Sequence, residues 1–250
     1  MESNNIIIEG MTAVSAVINA INGGTNNRQI YKIYVTFDAA KKKFREMNFL
    51  KQNASSLGFD IDIISTDEFN LLAQGTSHGG IAALCSERMF EKASTFQLSS
   101  NGIFALLDGI EDPYNYAYTV RSLYAAGFDG IVLPPRNWAS ADALVAKSSA
   151  GTSELITTLV DDPVVAVTTF KKAGYKIASA GIRNAVSLRT SDLSAPLLLI
   201  IGGEKRGISR SLLDLSDMIV RIDYGRQFMG SLTTSASAAV MAFEIMRQNQ

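Results

Sequence analysis

Three polar, glycine-containing segments are the candidates for chemistry, because each follows an apolar run that is typical of a buried strand. They span residues 108–115, 202–208 and 229–235. In an open α/β sheet, ligands bind beyond the carboxyl ends of the strands. The three segments therefore predict a ligand site where the chain leaves the sheet.

The first segment contains Asp112, Pro113 and Asn115, and it leads into a predicted helix that carries Arg121. Aspartate followed by proline is also an ordinary turn and helix start. An arginine on a helix is also an ordinary partner in a surface ion pair. This segment alone leaves a structural and a functional role open.

The second segment reads Gly-Gly-Glu-Lys-Arg-Gly-Ile and begins at Gly202. Its glycines, Gly202, Gly203 and Gly207, let the backbone approach a ligand and leave amide groups free to bind it. It is not a phosphate-binding P-loop, because Lys205 precedes the final glycine. On its own the segment is a weak signal for a nucleotide.

The third segment reads Met-Gly-Ser-Leu-Thr-Thr-Ser and opens the last predicted helix, where helix capping explains much of its composition. The chain has no Gly-x-Ser-x-Gly elbow and its one histidine is His78, which argues against a serine hydrolase. Its one cysteine, Cys85, excludes an internal disulfide and a zinc site built from cysteine pairs. We predict no metal site.

The 250 residues are 47% hydrophobic and carry a net charge of −1. We expect a cytoplasmic protein without a membrane partner, because no apolar stretch approaches the ~20 residues that span a bilayer and no secretory leader is evident. The net charge gives no overall electrostatic footprint for nucleic acid. Cations nevertheless cluster locally, at Lys41, Lys42, Lys43 and Arg45, and again at Lys205, Arg206, Arg210, Arg221 and Arg226. Either cluster could contact phosphates or be a solvated surface.

The apolar pattern divides the chain into two α/β domains, residues 1–86 and 102–250, joined by a linker at 87–101. The first domain has predicted strands at 30–37, 59–64 and 81–85 and predicted helices at 10–21, 40–57 and 66–73. The second has predicted strands at 104–110, 130–134, 164–167, 176–180, 197–201 and 218–222, and predicted helices at 115–126, 140–147, 168–173, 209–215 and 234–247. Strands that are apolar throughout, such as 197–201, indicate a parallel sheet covered on both faces.

Taken together, the segments resemble the motifs of the SpoU (TrmH) family of RNA 2′-O-ribose methyltransferases. The family pattern Asp-Pro-x-Asn-x-Gly-x-x-x-Arg is similar to residues 112–121, and Gly-x-Glu-x-x-Gly-Ile/Leu-Ser is similar to 202–209. Arg-Ile followed by Ser-Leu-Asn-x-Ser is similar to 221–222 and 231–235. Residues 147–152 resemble the family's Lys-x-Ser-x-Gly-Ala, while 9–10 and 77–82 resemble the substrate-binding domain of longer members.

The resemblance implies a C-terminal α/β trefoil-knot domain of the SPOUT superfamily and an N-terminal RNA-binding domain like ribosomal protein L30e. It also implies S-adenosylmethionine as cofactor, an RNA substrate with rRNA favoured over tRNA, and a homodimer, formed through the knotted domain, whose active site is shared. By resemblance, backbone groups hold the cofactor at these residues: Leu133, Gly202, Gly203, Gly207, Ile222, Ser231 and Leu232. The catalytic residues implied are Arg121, Asn115, Glu204, Ser231 and Thr233.

The family also suggests a role for most of these side chains. Arg121 would contact the target ribose or phosphate and act as the base, and Asn115 would orient Arg121 or the substrate. Glu204 would anchor the motif loops, and Ser231 would lie beside the reactive end of the cofactor. The purpose of such an arrangement is to align the 2′-oxygen with the methyl group and to remove its proton.

Three positions depart from the family pattern. Thr233 stands where the family has asparagine, Ala117 where it has glycine, and Gly80 where the N-terminal domain usually has glutamine. These departures keep open a catalytically degenerate RNA- or cofactor-binding protein on the same fold. An unrelated α/β nucleotide-dependent enzyme is the third alternative.

Overall fold

The computed structural model describes residues 5–136 and 141–250. These residues form two compact units, one made of 5–89 and 141–155 and the other of 90–136 and 156–250. Each unit has its own sheet and its own apolar core. In the part of the chain that the structure describes, no helix is long and apolar enough to cross a membrane.

The elements up to residue 89 are β1 (Ile6–Glu9), α1 (Met11–Asn22), β2 (Ile30–Thr36), α2 (Phe37–Lys42), α3 (Phe44–Leu57), β3 (Asp60–Ile64), α4 (Thr66–Leu72) and β4 (Ile81–Cys85). Those beyond it are β5 (Ile103–Asp108), α5 (Pro113–Ala125), β6 (Gly130–Leu133), α6 (Asp142–Ser148), α7 (Thr152–Leu155), β7 (Thr157–Val160), α8 (Pro163–Lys172), β8 (Lys176–Ala180), β9 (Val186–Ser187), β10 (Leu197–Gly202), α9 (Arg210–Leu215), β11 (Met218–Arg221) and α10 (Thr234–Gln248). Helices α6 and α7 belong to the first unit.

The first unit is built on a four-stranded sheet in the order β1-β4-β2-β3. Strands β2 and β3 run parallel, and the other two neighbouring pairs are antiparallel. The core includes the side chains of Ile8, Val14, Ile33, Leu50 and Ile81, each fully buried. Burying one such side chain is worth roughly 1.5–3 kcal/mol, so this core is the main stabilising feature of the unit.

A buried ionic cluster holds α6 and α7 to the first unit, although the sequence analysis placed residues 141–155 in the second domain. The guanidinium of Arg28, with a side chain 0% exposed, lies 2.8 Å from Asp142 Oδ2 and 2.8 Å from Glu154 Oε2. Asn26 Nδ2 donates to the same Glu154 oxygen at 2.6 Å. Burial alone would raise the pKa of Glu154, but the attraction and hydrogen bonds of Arg28 outweigh it and lower that pKa.

The segment 147–152, which resembles a family motif, also lies in the first unit. Lys147 Nζ is 3.2 Å from Glu9 Oε2, and the other oxygen of Glu9 accepts hydrogen bonds from two backbone amides that follow α4. Gly151 has a φ of +83°, and a Cβ built on it would lie 2.4 Å from Ala16 Cβ. Glycine at this position therefore lets α7 pack closely on α1.

The second unit is built on a seven-stranded sheet in the order β7-β6-β5-β10-β8-β11-β9. Every neighbouring pair is parallel, which confirms the predicted parallel sheet. Strand β10 lies near the middle, and its residues 197–201 are at most 2% exposed. On one face of the sheet, the ring of Phe170 makes edge contacts with Phe104 at 5.2 Å and with Tyr175 at 5.0 Å. These aromatic contacts fix α8 against the sheet.

One predicted strand is wrong: residues 164–167 lie in helix α8, and the strand of this region is β7 instead. The carboxylate of Asp162 caps α8 by accepting hydrogen bonds from two backbone amides, and Pro163 occupies the first helical turn. This helix-start signal overrides the β propensity of Val164 and Val165, which are 40% and 44% exposed.

Other predicted elements differ from the structure in smaller ways. The predicted helix 40–57 is two helices, α2 and α3, because the chain turns at Lys43. Strands β1 and β9 were not predicted. The predicted start of a helix at Ser140 lies outside the described residues, where the structure gives α6 from Asp142.

Candidate active site

The first two motif segments leave the sheet from neighbouring strands at the same level. Strands β5 and β10 are parallel, and their last residues, Asp108 and Gly202, are paired in register. The backbone N of Gly203 donates to the carbonyl of Asp108 at 2.7 Å. A Cβ built on Gly203 would lie 2.0 Å from the carbonyl oxygen of Gly109, so only glycine allows this close approach.

The loop after β10 folds back on itself. The backbone N of Gly207 donates to the carbonyl of Gly203 at 3.0 Å, and Gly207 has a φ of +63°. A Cβ on Gly202 would lie 2.5 Å from the backbone of Gly207. The backbone N of Ser209 then donates to Asp108 Oδ2 at 2.9 Å, which ties the end of the loop to β5. The glycines thus shape the loop whether or not they also contact a ligand.

Asn115 connects the first two motif segments. Asp112 caps α5 by accepting a hydrogen bond from the backbone N of Asn115 at 2.7 Å, and Pro113 occupies the first turn. This cap places the half-buried Asn115 side chain so that its Nδ2 donates to Glu204 Oε1 at 2.8 Å. This hydrogen bond joins the start of α5 to the loop after β10.

The third motif segment reaches the same amide. Thr233 caps α10, with its Oγ1 accepting from the backbone N of Ala236 at 3.3 Å. Thr234 Oγ1 donates to the carbonyl of Gly202 at 3.3 Å, and Ser235 Oγ donates to Asn115 Oδ1 at 3.4 Å. The side chain of Asn115 is therefore the point where all three segments meet.

The predicted cofactor residues outside the loop after β10 also lie at the carboxyl edge of the sheet. Leu133 is the buried last residue of β6, and Ile222, half-buried, directly follows β11. Ser231 and Leu232 are exposed. The backbone N of Leu232 donates to the hydroxyl of Tyr224 at 3.2 Å, which holds the segment before α10 to the loop after β11.

The structure does not bring Arg121 to the Asn115 cluster. Arg121 follows Asn115 by six residues, which places the two about 120° apart around the α5 axis. It is exposed, and it shares a helix face with Tyr114 and Tyr118, whose rings lie 6.3 Å apart. No ion pair found among the described residues involves Arg121. Its side chain therefore leaves α5 on a different face from that of Asn115.

Charged side chains of both signs lie at the second motif segment. Lys205 Nζ lies 2.9 Å from Glu111 Oε2, and both side chains are exposed. A hydrogen bond from Lys205 lowers the pKa of Glu111, and the nearby charges of Arg206 and Arg136 lower it further. The ion pair joins the second motif segment to the first.

Sequence reasoning missed three residues of this site. Ser235 bonds to Asn115, Tyr224 holds Leu232, and Asp108 binds the end of the loop at Ser209. The third family motif includes Ser235, but the resemblance assigned site roles only to Ser231, Leu232 and Thr233 of that segment. Tyr224 and Asp108 carry no spacing signal, because their contacts are set by loop conformation.

Two sequence profiles match the chain. The profile described as SpoU rRNA Methylase family matches residues 102–243, and that described as RNA 2′-O ribose methyltransferase substrate binding matches residues 7–90. A putative TrmH family tRNA/rRNA methyltransferase of Staphylococcus haemolyticus is 29% identical over 250 residues, which are 98% of this chain and 96% of the relative. Its counterpart in Staphylococcus epidermidis is 27% identical over 256 residues, with the same two shares.

Solved structures of similar proteins have the same fold. A crystal structure of an RNA 2′-O ribose methyltransferase gives a TM-score of 0.77 at 20% identity, over 98% of this chain and 89% of that one. The SpoU methyltransferase AviRb of Streptomyces viridochromogenes, in complex with AdoMet, gives 0.79 at 17% identity, over 98% and 90%. The AdoMet-bound rRNA methyltransferase of Sinorhizobium meliloti gives 0.79 at 18% identity, over 97% and 87%.

These likenesses confirm the predicted SPOUT-type α/β fold and exclude an unrelated nucleotide-dependent enzyme. The methylase profile covers more than half of the chain, and it contains all three segments that meet at Asn115. The chain therefore belongs to the SpoU methylase family of RNA methyltransferases.

Proposed function

We propose that the protein transfers a methyl group from S-adenosylmethionine to a ribose 2′-hydroxyl of RNA, with rRNA as the favoured substrate, in the cytoplasm. The observation that carries this proposal is the hydrogen-bonded cluster of Asn115, Glu204 and Ser235, which joins all three motif segments at one edge of a parallel sheet. That edge is where ligands of such sheets bind. The S-adenosylmethionine in two of the similar structures supports the choice of cofactor.

The residues at this edge fit a cofactor that is largely an adenosine with an amino-acid tail. Leu133 ends β6 and Ile222 follows β11, and the strand that ends at Gly202 lies between these two strands in the sheet order. The third apolar side chain, Leu232, lies in the segment before α10. A Cβ built on Gly207 would meet no atom within 4 Å, so open space lies over this part of the loop. We assign the cofactor to these three apolar residues together with Gly202, Gly203, Gly207 and the backbone of Ser231. S-adenosylmethionine supplies an electrophilic methyl group when bound.

The protein's own side chains would hold the ribose. Asn115 offers an amide that both donates and accepts, and Glu204 and Ser235 fix its orientation. Ser231 and Thr233 are exposed hydroxyls at the start of α10, and we assign them to the reacting end of the site. This arrangement would align the 2′-oxygen, and positioning of that kind is a large part of catalysis for a transfer between two bound groups.

Arg121 would act on the substrate of a second subunit. Its side chain leaves α5 on a face about 120° from Asn115, so we assign it to the site of a partner subunit and not to that of its own chain. We propose a homodimer through the second unit in which Arg121 of one chain completes the site of its partner. A guanidinium has five N–H donors and no acceptor, so we assign it to holding the ribose or phosphate. The proton of the 2′-hydroxyl would pass to water as the new C–O bond forms and the C–S bond breaks.

The first test is titration calorimetry with S-adenosylhomocysteine, comparing the wild type with Leu232→Arg. We expect micromolar binding that is lost in the variant, because a charged side chain would fill the apolar part of the pocket. Met229→Arg is the matched control: it makes the same change in charge three residues away, at a side chain that is 95% exposed. Absence of binding to the wild type at millimolar ligand would refute the cofactor and, with it, methyl transfer.

The departures at Thr233 and Ala117 raise one alternative, a catalytically degenerate protein that binds RNA or the cofactor, but the positions of both residues weigh against it. Ala117 is fully buried in α5, so its methyl group lies inside the helix packing and not in the loops. Thr233 keeps the helix cap that asparagine would also provide. Methyl groups appearing on RNA incubated with the protein and cofactor would eliminate this alternative.

A further inference from the structure

A surface of the first unit that the proposed reaction does not use combines exposed aromatic rings with cations. It consists of residues 37–45, and we call it the 37–45 surface. Phe37 is 54% exposed and Phe44 is 71% exposed. Lys41, Lys42 and Arg45 are exposed in the same stretch. Both rings and all three cations thus lie within nine consecutive residues of α2 and the start of α3.

Packing beneath this surface holds it in place. The buried Thr36 caps α2, and its Oγ1 accepts from the backbone N of Ala39 at 3.2 Å. Lys43 Nζ donates to the carbonyl of Gly79 at 2.8 Å, which ties the turn between α2 and α3 to the loop before β4. Gly80 has a φ of +73°, and a Cβ there would lie 2.3 Å from Thr36 Oγ1. A glutamine, which the family usually has at Gly80, would not fit, so this loop is specialised in its contact with α2.

Folding does not explain the side chains that are exposed here. A phenylalanine with more than half of its surface in water adds little to the core. No ion pair recorded within residues 5–136 and 141–250 involves Lys41, Lys42 or Arg45. The stretch contains four cations and one carboxylate, Asp38, in a chain whose net charge is −1. Glu46 follows directly, so the region keeps a surplus of two positive charges even when this second carboxylate is counted.

Aromatic faces combined with cations are the chemistry that recognises unpaired nucleotides. Bases that are not paired can stack on aromatic rings, while lysine and arginine contact the phosphates between them. Phe37 and Lys41 are four residues apart on α2, so a ring and a cation share one helix face. A duplex keeps its bases stacked inside and has no use for the rings. A protein partner would favour contiguous apolar area over rings separated by lysines.

We propose that the 37–45 surface binds unpaired nucleotides of the RNA substrate, with Phe37 and Phe44 stacking on bases and Lys41, Lys42 and Arg45 contacting phosphates. The inference rests on the proposed function only in taking RNA as the ligand. It assigns to the first unit the selection of single-stranded loops or bulges, a task separate from methyl transfer.

The test uses the full-length protein and fluorescence anisotropy with two labelled probes, an unstructured adenine-rich 12-nucleotide RNA and a duplex of the same length. The double variant Phe37→Ala/Phe44→Ala should bind the unpaired probe about tenfold more weakly or worse, with an unchanged dependence on salt. Affinity falls as salt rises, and in Lys41→Ala/Lys42→Ala/Arg45→Ala the plot of log affinity against log salt should be less steep by about 2. Leu71→Ala is the matched control, because Leu71 is 88% exposed in the same unit but lies on α4, outside the surface.

Unchanged affinity of the double phenylalanine variant for the unpaired probe would overturn the proposal. Equal losses for the duplex and the unpaired probe would also overturn it, because stacking predicts a difference between them. A change from dimer to monomer by light scattering, without loss of RNA affinity, would show a protein interface instead. Calorimetry with S-adenosylhomocysteine on the same samples keeps the two proposals apart. If the wild type does not bind this ligand, the cofactor site is refuted, while the anisotropy measurements still test the 37–45 surface.

Discussion

Substituting Gly203 with alanine should separate the two loops that build the candidate active site. The new Cβ would lie 2.0 Å from the carbonyl oxygen of Gly109, and real Cβ atoms essentially never approach within 3.0 Å. The loops must therefore move apart by about 1 Å, which lengthens the 2.7 Å hydrogen bond between Gly203 and Asp108 beyond bonding distance. Overpacking costs about 1–3 kcal/mol and the lost hydrogen bond about 1 kcal/mol, or roughly 2–4 kcal/mol together.

Thermal unfolding of Gly203→Ala and of the control Gly225→Ala measures this cost. A loss of this size corresponds to a melting temperature lower by roughly 5–15 °C. Gly225 lies in the same unit, its φ is not in the left-handed region, and a Cβ there would meet nothing within 4 Å, so its substitution should change stability by no more than about 0.5 kcal/mol. S-adenosylhomocysteine should bind the Gly203 variant more weakly at a temperature where it is folded. If Gly203→Ala melts within 1 °C or so of the wild type and binds the ligand normally, the close contact of the two loops is not what shapes the site.

Three further predictions concern Arg121, Thr233 and Glu154. Arg121→Ala should lower the rate of methyl transfer by about 100-fold or more while leaving S-adenosylhomocysteine affinity unchanged. Mixing this variant with Leu232→Arg should restore part of the activity, because a mixed dimer would have one intact cofactor site completed by the partner's arginine. No restoration would contradict the shared site. Thr233→Ala should lower the free energy of unfolding, measured with denaturant, by about 1 kcal/mol because the α10 cap is lost. Thr233→Asn should leave that free energy unchanged, and equal losses in the two variants would argue against capping. Glu154→Gln should destabilise the first unit by about 3–5 kcal/mol, because it leaves the buried Arg28 guanidinium underpaired. The folded-state pKa of Glu154 is below its ordinary value of 4.5, so its stabilisation is complete at neutral pH and is lost as the pH falls below 4.5; the glutamine variant should lack that part of the acid dependence.

The sheet and its ligand edge were predictable from the sequence. Residues 197–201 are apolar throughout, and the structure confirms them as a central strand of a parallel sheet. Parallel strands bring the loops that follow them to one edge, so the meeting of segments 108–115 and 202–208 follows from their position after strands. The resemblance assigned both Asn115 and Glu204 to the site, with separate roles, and the structure adds the 2.8 Å hydrogen bond between them.

Features that depend on long-range contacts were not predictable in this way. Arg28 is separated from Glu154 by more than a hundred residues, and nothing in local periodicity connects the two. In α8, Val164 and Val165 have strand propensity, and a two-residue cap signal before them decided the outcome. The separation of Arg121 from Asn115 was available from helix geometry alone, because six residues do not return to the same face.

The assignment of α6 and α7 to the first unit bears on how this chain is made. The polypeptide leaves the first unit after residue 89, supplies a strand-helix-strand portion of the second, and then returns for residues 141–155 before leaving again. Arg28 can therefore pair with Glu154 only after some 155 residues have left the ribosome. The first unit cannot complete its fold while residues 141–155 are still inside the exit tunnel. For the same reason the N-terminal portion is not a complete domain without residues 141–155. A fragment cut between the two profile matches would lack α6 and α7 and would leave a buried guanidinium without its carboxylates.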